Sequence, residues 1–205
     1  MNHTTRDLAH AALIVVDLQN DFCPGGTLAV PEGDQIIPTV QRWIRRFQDQ
    51  GCPIIFTQDA HPAHHISFTE QGGPWPPHCV QGTPGADLHP DLTIPLDAIY
   101  VEKGFLPDVD AYSGFEGMVK NSDGIRTEAS LQQLLDSREI RTIYLAGLAT
   151  DYCVKATAMD ALRLGYQVKV INHAIRGVNV KPDDSLSALV ELIARGAHVI
   201  DGTGE

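Results

Sequence analysis

Three residues of complementary chemistry each close or follow an apolar run: Asp17 in VVDLQNDF (Val15 to Phe22), Lys103 in VEKGF and Cys153 in AGLATDYCV. A thiol able to act as nucleophile, a carboxylate able to shuttle its proton and a cation able to hold a thiolate form a set suited to acyl transfer. Cys153 falls in the first turn of a helix expected from about residue 150. Unpaired backbone N–H groups and the positive end of the helix dipole favour thiolate over thiol there. Gly104, directly after Lys103, permits a tight turn that aims the ammonium into a cleft. Each residue also has a plainer reading: Asp17 as a helix cap or ion-pair partner, Lys103 as a solvated charge, Cys153 as a small buried hydrophobe. What favours the catalytic reading is that all three arrive at the carboxyl ends of different strands.

A second cluster begins at TQDAH (Thr57 to His61), where Asp59 and His61 are two apart and share one side of an extended segment. His64, His65 and His78, the last in PWPPHCVQGTPGA (Pro74 to Ala86), crowd the same long loop. A carboxylate with imidazoles is a donor set for one divalent zinc, manganese or iron ion, and residue types alone do not choose among them. The alternative is a histidine-rich polar surface loop. Phe22, Trp75 and Tyr112 lie in loops beside both clusters, either packing on the core or forming an apolar wall for a flat aromatic ligand.

The elements that must position these residues are legible as alternating strands and helices. Ala11 to Val16 is a continuous apolar run, as in a strand buried on both faces of a parallel sheet. Ile36, Ile37, Val40, Trp43, Ile44 and Phe47 then repeat at helical spacing, with Gly51 as the stop. Strands are expected at 53–58, 97–102, 140–146, 166–171 and 197–200, and helices near 127–138, 150–164 and 182–195. This alternation predicts an α/β sandwich with a parallel sheet and right-handed crossovers. Residues 60 to 96, rich in Pro, Gly and His, form a loop long enough to carry function.

The chain of 205 residues is expected to be a single domain over 1–205, and its balance of 43% hydrophobic and 20% charged residues is that of a globular protein. A formal net charge of -11 with no basic run argues against nucleic acid and for a small-molecule substrate. The apolar run ending at Val16 is far shorter than the roughly 20 residues of a membrane span and lacks a cleavage site, so no membrane partner and a cytoplasmic location are expected. Cysteines 23, 52, 79 and 153 show neither disulfide nor zinc-finger spacing. Whether the protein is a homo-oligomer is not legible.

Taken together and in order, VVDLQNDF, TQDAH, PWPPHCVQGTPGA, VEKGF, DAYSGF (Asp110 to Phe115) and AGLATDYCV resemble the nicotinamidase/pyrazinamidase branch of the isochorismatase-like cysteine hydrolases, over nearly the whole chain. The resemblance implies a three-layer α/β/α sandwich around a six-stranded parallel sheet and a triad of Asp17, Lys103 and Cys153. It implies a metal on Asp59, His61 and His78, with the fourth place open to His65, Ser67 or water. It further implies an oxyanion hole from the N–H groups of Ala149 and Cys153, a cis peptide between Leu148 and Ala149, and a substrate ring held among Phe22, Trp75 and Tyr112. The implied reaction is hydrolysis of nicotinamide to nicotinic acid and ammonia through a cysteine thioester in NAD salvage, with pyrazinamide as a second substrate. The rivals are a hydrolase of the same fold acting on isochorismate, a carbamoyl compound or another amide, and a non-enzymatic metal or thiol sensor. A sensor usually needs a resolving cysteine, and none is near Cys153 in sequence, although Cys79 could approach it in space.

Overall fold

The structure, a computed structural model, describes residues 8–203, so the first seven and last two residues of the expected domain lie outside the described residues. Strand β1, Ala11–Val16, is buried along its whole length. It pairs in parallel with β2, Ile54–Asp59, on one side and with β6, Thr142–Leu148, on the other. Strand β3, Ile99–Lys103, lies beside β2 with Lys103 opposite Asp59. Strands β7, Gln167–Arg176, and β8, His198–Ile200, extend the sheet beyond β6.

Alternate residues of β1 feed two cores, as the two-residue period of a strand requires. Leu13 and Val15 pack with Val40, Trp43, Ile44 and Phe47 of α1, Ile37–Asp49. Ala12, Ile14 and Val16 share a second core with α2, Leu131–Ser137, α3, Lys155–Arg163, and α4, Asp184–Ala194, through Leu131, Leu135, Ala158, Ala161 and Leu192. These are the three layers of an α/β/α sandwich. Among the described residues no helix is long and apolar enough to cross a membrane.

The sheet is larger than the expected six strands. Its order is β5-β4-β3-β2-β1-β6-β7-β8; the six from β3 to β8 are parallel, while β4, Met118–Lys120, and β5, Arg126–Ser130, add an antiparallel hairpin outside β3. Residues 127–130, expected to be helical, are therefore strand. The turn that folds the hairpin is closed by Asn121, whose Oδ1 accepts the N–H groups of Asp123 (3.0 Å) and Ile125 (2.9 Å). The helix starts only at Leu131, where Ser130 and Gln133 form a reciprocal capping box.

The order turns back at β1, which has β2 on one side and β6 on the other. In an open parallel sheet the crevice beyond the strand ends at such a point is where ligands bind. Asp17 follows β1, Lys103 ends β3 and Cys153 follows β6, so the topology brings them to this crevice.

Candidate active site

Lys103 is the hub. Its side chain is fully buried, and Nζ lies 2.9 Å from Asp17 Oδ2, 2.5 Å from Asp59 Oδ1 and 3.5 Å from Cys153 Sγ. Asp17 is also fully buried and takes a left-handed φ of 44° at the end of β1. Thr57 holds it there by donating its hydroxyl to Asp17 Oδ1 at 2.6 Å. Asp17 Oδ2 has no aligned hydrogen-bond donor. It is thus the oxygen left to take a proton, and one donor atom from each of Asp17, Asp59 and Cys153 lies within 4.8 Å of the others.

The electrostatics correct one expectation. Burial pushes the Cys153 thiol well above its ordinary value, outweighing the pull of Lys103. Burial thus favours the thiol over the thiolate at the helix start, and a thiol nucleophile calls for a base. Burial and the neighbouring charge of Asp59 raise the Asp17 carboxyl despite Lys103, which makes it the more basic of the two carboxylates. Asp59 is held low because Lys103 and His61 together overcome its burial. The two carboxylates that flank one lysine are driven apart, one toward accepting protons and one toward permanent charge. Lys103 itself is raised far above its usual value: burial opposes its charge, but Asp17 and Asp59 outweigh burial, so it stays cationic.

Asp59 also belongs to the second cluster. Its Oδ2 lies 3.6 Å from His61 Nε2, and one donor atom each from Asp59, His61 and His78 fall within 4.8 Å of one another, all three residues buried. Each imidazole is oriented by a backbone carbonyl on Nδ1, Gly104 O for His61 (2.9 Å) and Pro76 O for His78 (2.8 Å), which leaves both Nε2 atoms as ligands. Gly104 is required by space: a Cβ there would sit 2.4 Å from His61 Cε1, and the residue has φ +63°. Burial lowers the His78 value, keeping the ring neutral as metal binding needs. One carboxylate and two imidazoles leave a coordination position open, the pattern of a catalytic rather than a structural zinc site. His65 stands outside this donor group. Its ring is 4.2 Å from that of His61 between centroids, but its nitrogens are engaged by Ser67 Oγ (2.7 Å) and Val109 O (3.0 Å). His64 is exposed.

Both clusters open on one pocket lined by Phe22, Leu28, Asp59, His61, Trp75, His78, Tyr112, Ala149, Tyr152, Cys153 and Val178. Phe22, Trp75 and Tyr112 all line it, and Phe22 also packs into the core. Trp75 Nε1 donates to Tyr112 Oη at 3.0 Å, and Tyr152 meets Trp75 edge-on at 5.0 Å between ring centroids. The Leu148–Ala149 peptide is cis. Beyond it the chain enters a wide turn, Thr150–Val154, in which the N–H groups of Tyr152 and Val154 both donate to Ala149 O at 3.1 Å. The reach from Val154 back to Ala149 spans five residues, a π-type turn of the kind that recurs at functional sites. The N–H of Cys153, between them, makes no bond to that carbonyl.

Sequence reasoning missed several contributors. Thr57 shares the TQDAH segment with Asp59 and lies two residues before it, so the same strand period that flagged Asp59 also aims Thr57 inward. Tyr152 adjoins Cys153 and could have been found as an aromatic in the nucleophile's turn. Leu28 and Val178 carry no chemical signal and come to the pocket only through the fold.

The chain is similar to known proteins in both sequence and structure. The family model described as "Isochorismatase domain" matches residues 11–203. The chain is 46% identical over 201 residues to a nicotinamidase of Escherichia coli (strain K12), covering 91% of this chain and 92% of the relative. It is 38% identical over 193 residues to a nicotinamidase/pyrazinamidase of Mycobacterium tuberculosis, covering 92% and 97%. The crystal structure of the pyrazinamidase of Pyrococcus horikoshii in complex with zinc matches with a TM-score of 0.84 at 45% identity, over 94% of this chain and 99% of that one. The chain belongs to the isochorismatase family.

Proposed function

We propose that this protein is a nicotinamidase, a single-domain cytoplasmic amidohydrolase that converts nicotinamide to nicotinic acid and ammonia in NAD salvage and also takes pyrazinamide. The observation that carries this reading is that Cys153 Sγ and the Asp59, His61 and His78 donors open on one aromatic-walled pocket. The relatives named above support the choice of amide.

Asp59, His61 and His78 fit a divalent ion, which when bound supplies a Lewis-acidic contact for the pyridine nitrogen and so orients the ring. The remaining chemistry falls to the chain. Phe22, Trp75 and Tyr112 hold the ring faces and direct the carboxamide to Cys153. Asp17 Oδ2 takes the thiol proton, and Sγ attacks the carbonyl carbon. Lys103, 3.5 Å from Sγ, offsets the charge as it forms. The N–H groups of Ala149 and Cys153 receive the oxyanion, a type of contact whose loss costs about 10² to 10³ in rate. Asp17 passes its proton to the nitrogen, the C–N bond breaks and ammonia departs, leaving a nicotinoyl thioester on Cys153. Asp17 then takes a proton from water, whose oxygen attacks the thioester; the C–S bond breaks, and the proton returns to sulfur.

The direct test is ammonia release from nicotinamide by the metal-loaded protein, with pyrazinamide and a carbamoyl compound in parallel. Release from the first two alone supports the assignment; release only from the carbamoyl compound would overturn it. Asp59→Ala should empty the metal site and abolish turnover, and retention of a full equivalent of zinc in that variant would show that the ligands are misassigned.

The raised Asp17 carboxyl sets the acid limb of the pH profile. Below its value Asp17 already carries a proton and cannot accept that of Cys153, so kcat/KM should fall as pH drops, with a midpoint above the roughly 3.9 of an ordinary aspartate. A midpoint at or below that figure would contradict a raised Asp17 carboxyl. Trp75→Ala removes one ring contact of about 0.5 to 1.5 kcal/mol. It should raise KM by about 2- to 13-fold with a smaller change in kcat. An unchanged KM would remove Trp75 from the binding wall.

A further inference from the structure

We propose that Gln19 and Asp21, which take no part in the reaction above, are positioning residues that hold all three metal ligands from one short segment following the catalytic base. The inference rests on the metal-site reading given above.

Gln19 is fully buried and two residues beyond Asp17. Its side-chain amide pairs with the backbone of Asp59 as a neighbouring strand would: Oε1 accepts Asp59 N–H at 2.8 Å, and Nε2 donates to Asp59 O at 2.8 Å. Nε2 also donates to Ala86 O at 2.7 Å, tying the end of β2 to the far side of the long loop. Beyond Thr57, β2 has no β1 residue paired to it in register, so the Gln19 side chain continues the ladder where β1 has ended. The Asp59 carboxylate, whose two oxygens face Lys103 and His61, hangs from this clamped peptide.

Asp21, two residues further on, grips the other ligands through Cys79. Its Oδ2 accepts Cys79 N–H at 2.8 Å, and its Oδ1 accepts Thr27 N–H at 3.2 Å. Cys79 takes a left-handed φ of 44°, and its carbonyl accepts His61 N–H at 2.9 Å. Cys79, held by Asp21, is thus bonded to His61 and adjoins His78. The loop lies so close that a Cβ on Gly85 would fall 2.1 Å from Asp21 Oδ2. Asp17 for the proton, Gln19 for Asp59 and Asp21 for the two histidines alternate along the chain, so the base and the metal cradle are set from one template.

The test is zinc affinity, measured by competition with a chromophoric chelator, together with the visible spectrum of the cobalt-loaded protein, for wild type, Gln19→Met and Asp21→Asn. Partners that orient metal ligands typically contribute about 10- to 100-fold in affinity, and a loss of that size is expected in each variant with an altered cobalt spectrum. Gln19→Glu, which keeps the acceptor for Asp59 N–H, should recover part of the loss relative to Gln19→Met. A purely structural role would lower the unfolding temperature of the metal-free protein while leaving zinc affinity and the cobalt spectrum unchanged, and that result overturns the proposal. If Gln19→Met does not fold, Asp21→Asn carries the same comparison. A wild-type protein that takes up no zinc would end the metal reading and this inference together; tight zinc binding by wild type and both variants would end the inference alone.

Discussion

Cys153→Ala should lower kcat for nicotinamide by at least about 10⁴-fold, since removing the nucleophile of a concerted catalytic set leaves only binding and oxyanion contacts. The substitution is small. Cys153 is buried beside Val154 and Ala158, and alanine leaves Asp17, Lys103 and Asp59 in contact. Zinc content and unfolding temperature should therefore stay near those of wild type while turnover vanishes. Because the thiol is pushed up by burial and depends on Asp17 for deprotonation, Asp17→Asn should fail in the same way, although Cys153 is intact. Substantial ammonia release by Cys153→Ala, with metal bound, would end the nucleophile assignment.

Lys103→Met has the other large expected effect, and it reaches stability as well as rate. The ammonium lies between the Asp17 and Asp59 carboxylates with none of its side chain exposed. Replacing it with an apolar chain of similar length leaves two buried carboxylates facing each other. Breaking a buried pair by removing one partner costs about 3 to 5 kcal/mol. Denaturant unfolding of the metal-free variant near pH 7 should show a loss of that order. Without Lys103 both carboxyls favour the protonated form in the folded state more than in the unfolded chain. The folded variant then binds more protons than the unfolded one, so part of the loss should be recovered as pH is lowered toward the carboxyl range. A loss below about 1 kcal/mol, or no pH dependence, would mean that the lysine is not what neutralises the pair.

Much of the parallel scaffold was readable because buried strands write themselves as apolar runs. Ala11–Val16 is such a run, and its last residue fixes Asp17 at the sheet edge. The hairpin 118–130 was not readable in the same way. Arg126–Ser130 is a polar, partly exposed strand with no apolar run, and its Thr, Glu and Ala fit a helix pattern equally well. The helix starts where Ser130 and Gln133 form their capping box, a signal the sequence reading passed over.

At the site, residue type and strand position drew attention to Asp17, Lys103, Cys153, Asp59 and His61, which the structure brings together, while His78 was set apart from His64 and His65 only by the family resemblance. For Cys153 a helix terminus favours thiolate, whereas burial beside two carboxylates favours the thiol, and the burial is not legible in the sequence. That Asp59 faces both clusters could not be read from spacing, since it depends on the β2–β3 register that sets Asp59 against Lys103. Gln19 likewise looks like an ordinary polar residue until its amide is seen paired with the Asp59 backbone.

The measurement that bears most directly on the covalent mechanism is product partitioning in the presence of hydroxylamine. A nicotinoyl thioester on Cys153 can be intercepted, so wild-type enzyme should yield nicotinohydroxamic acid alongside nicotinic acid, in a ratio that rises with hydroxylamine, while each product accompanies one ammonia. Nicotinic acid alone at every hydroxylamine concentration, with ammonia release undiminished, would mean that water attacks the amide directly and that Cys153 forms no acyl intermediate.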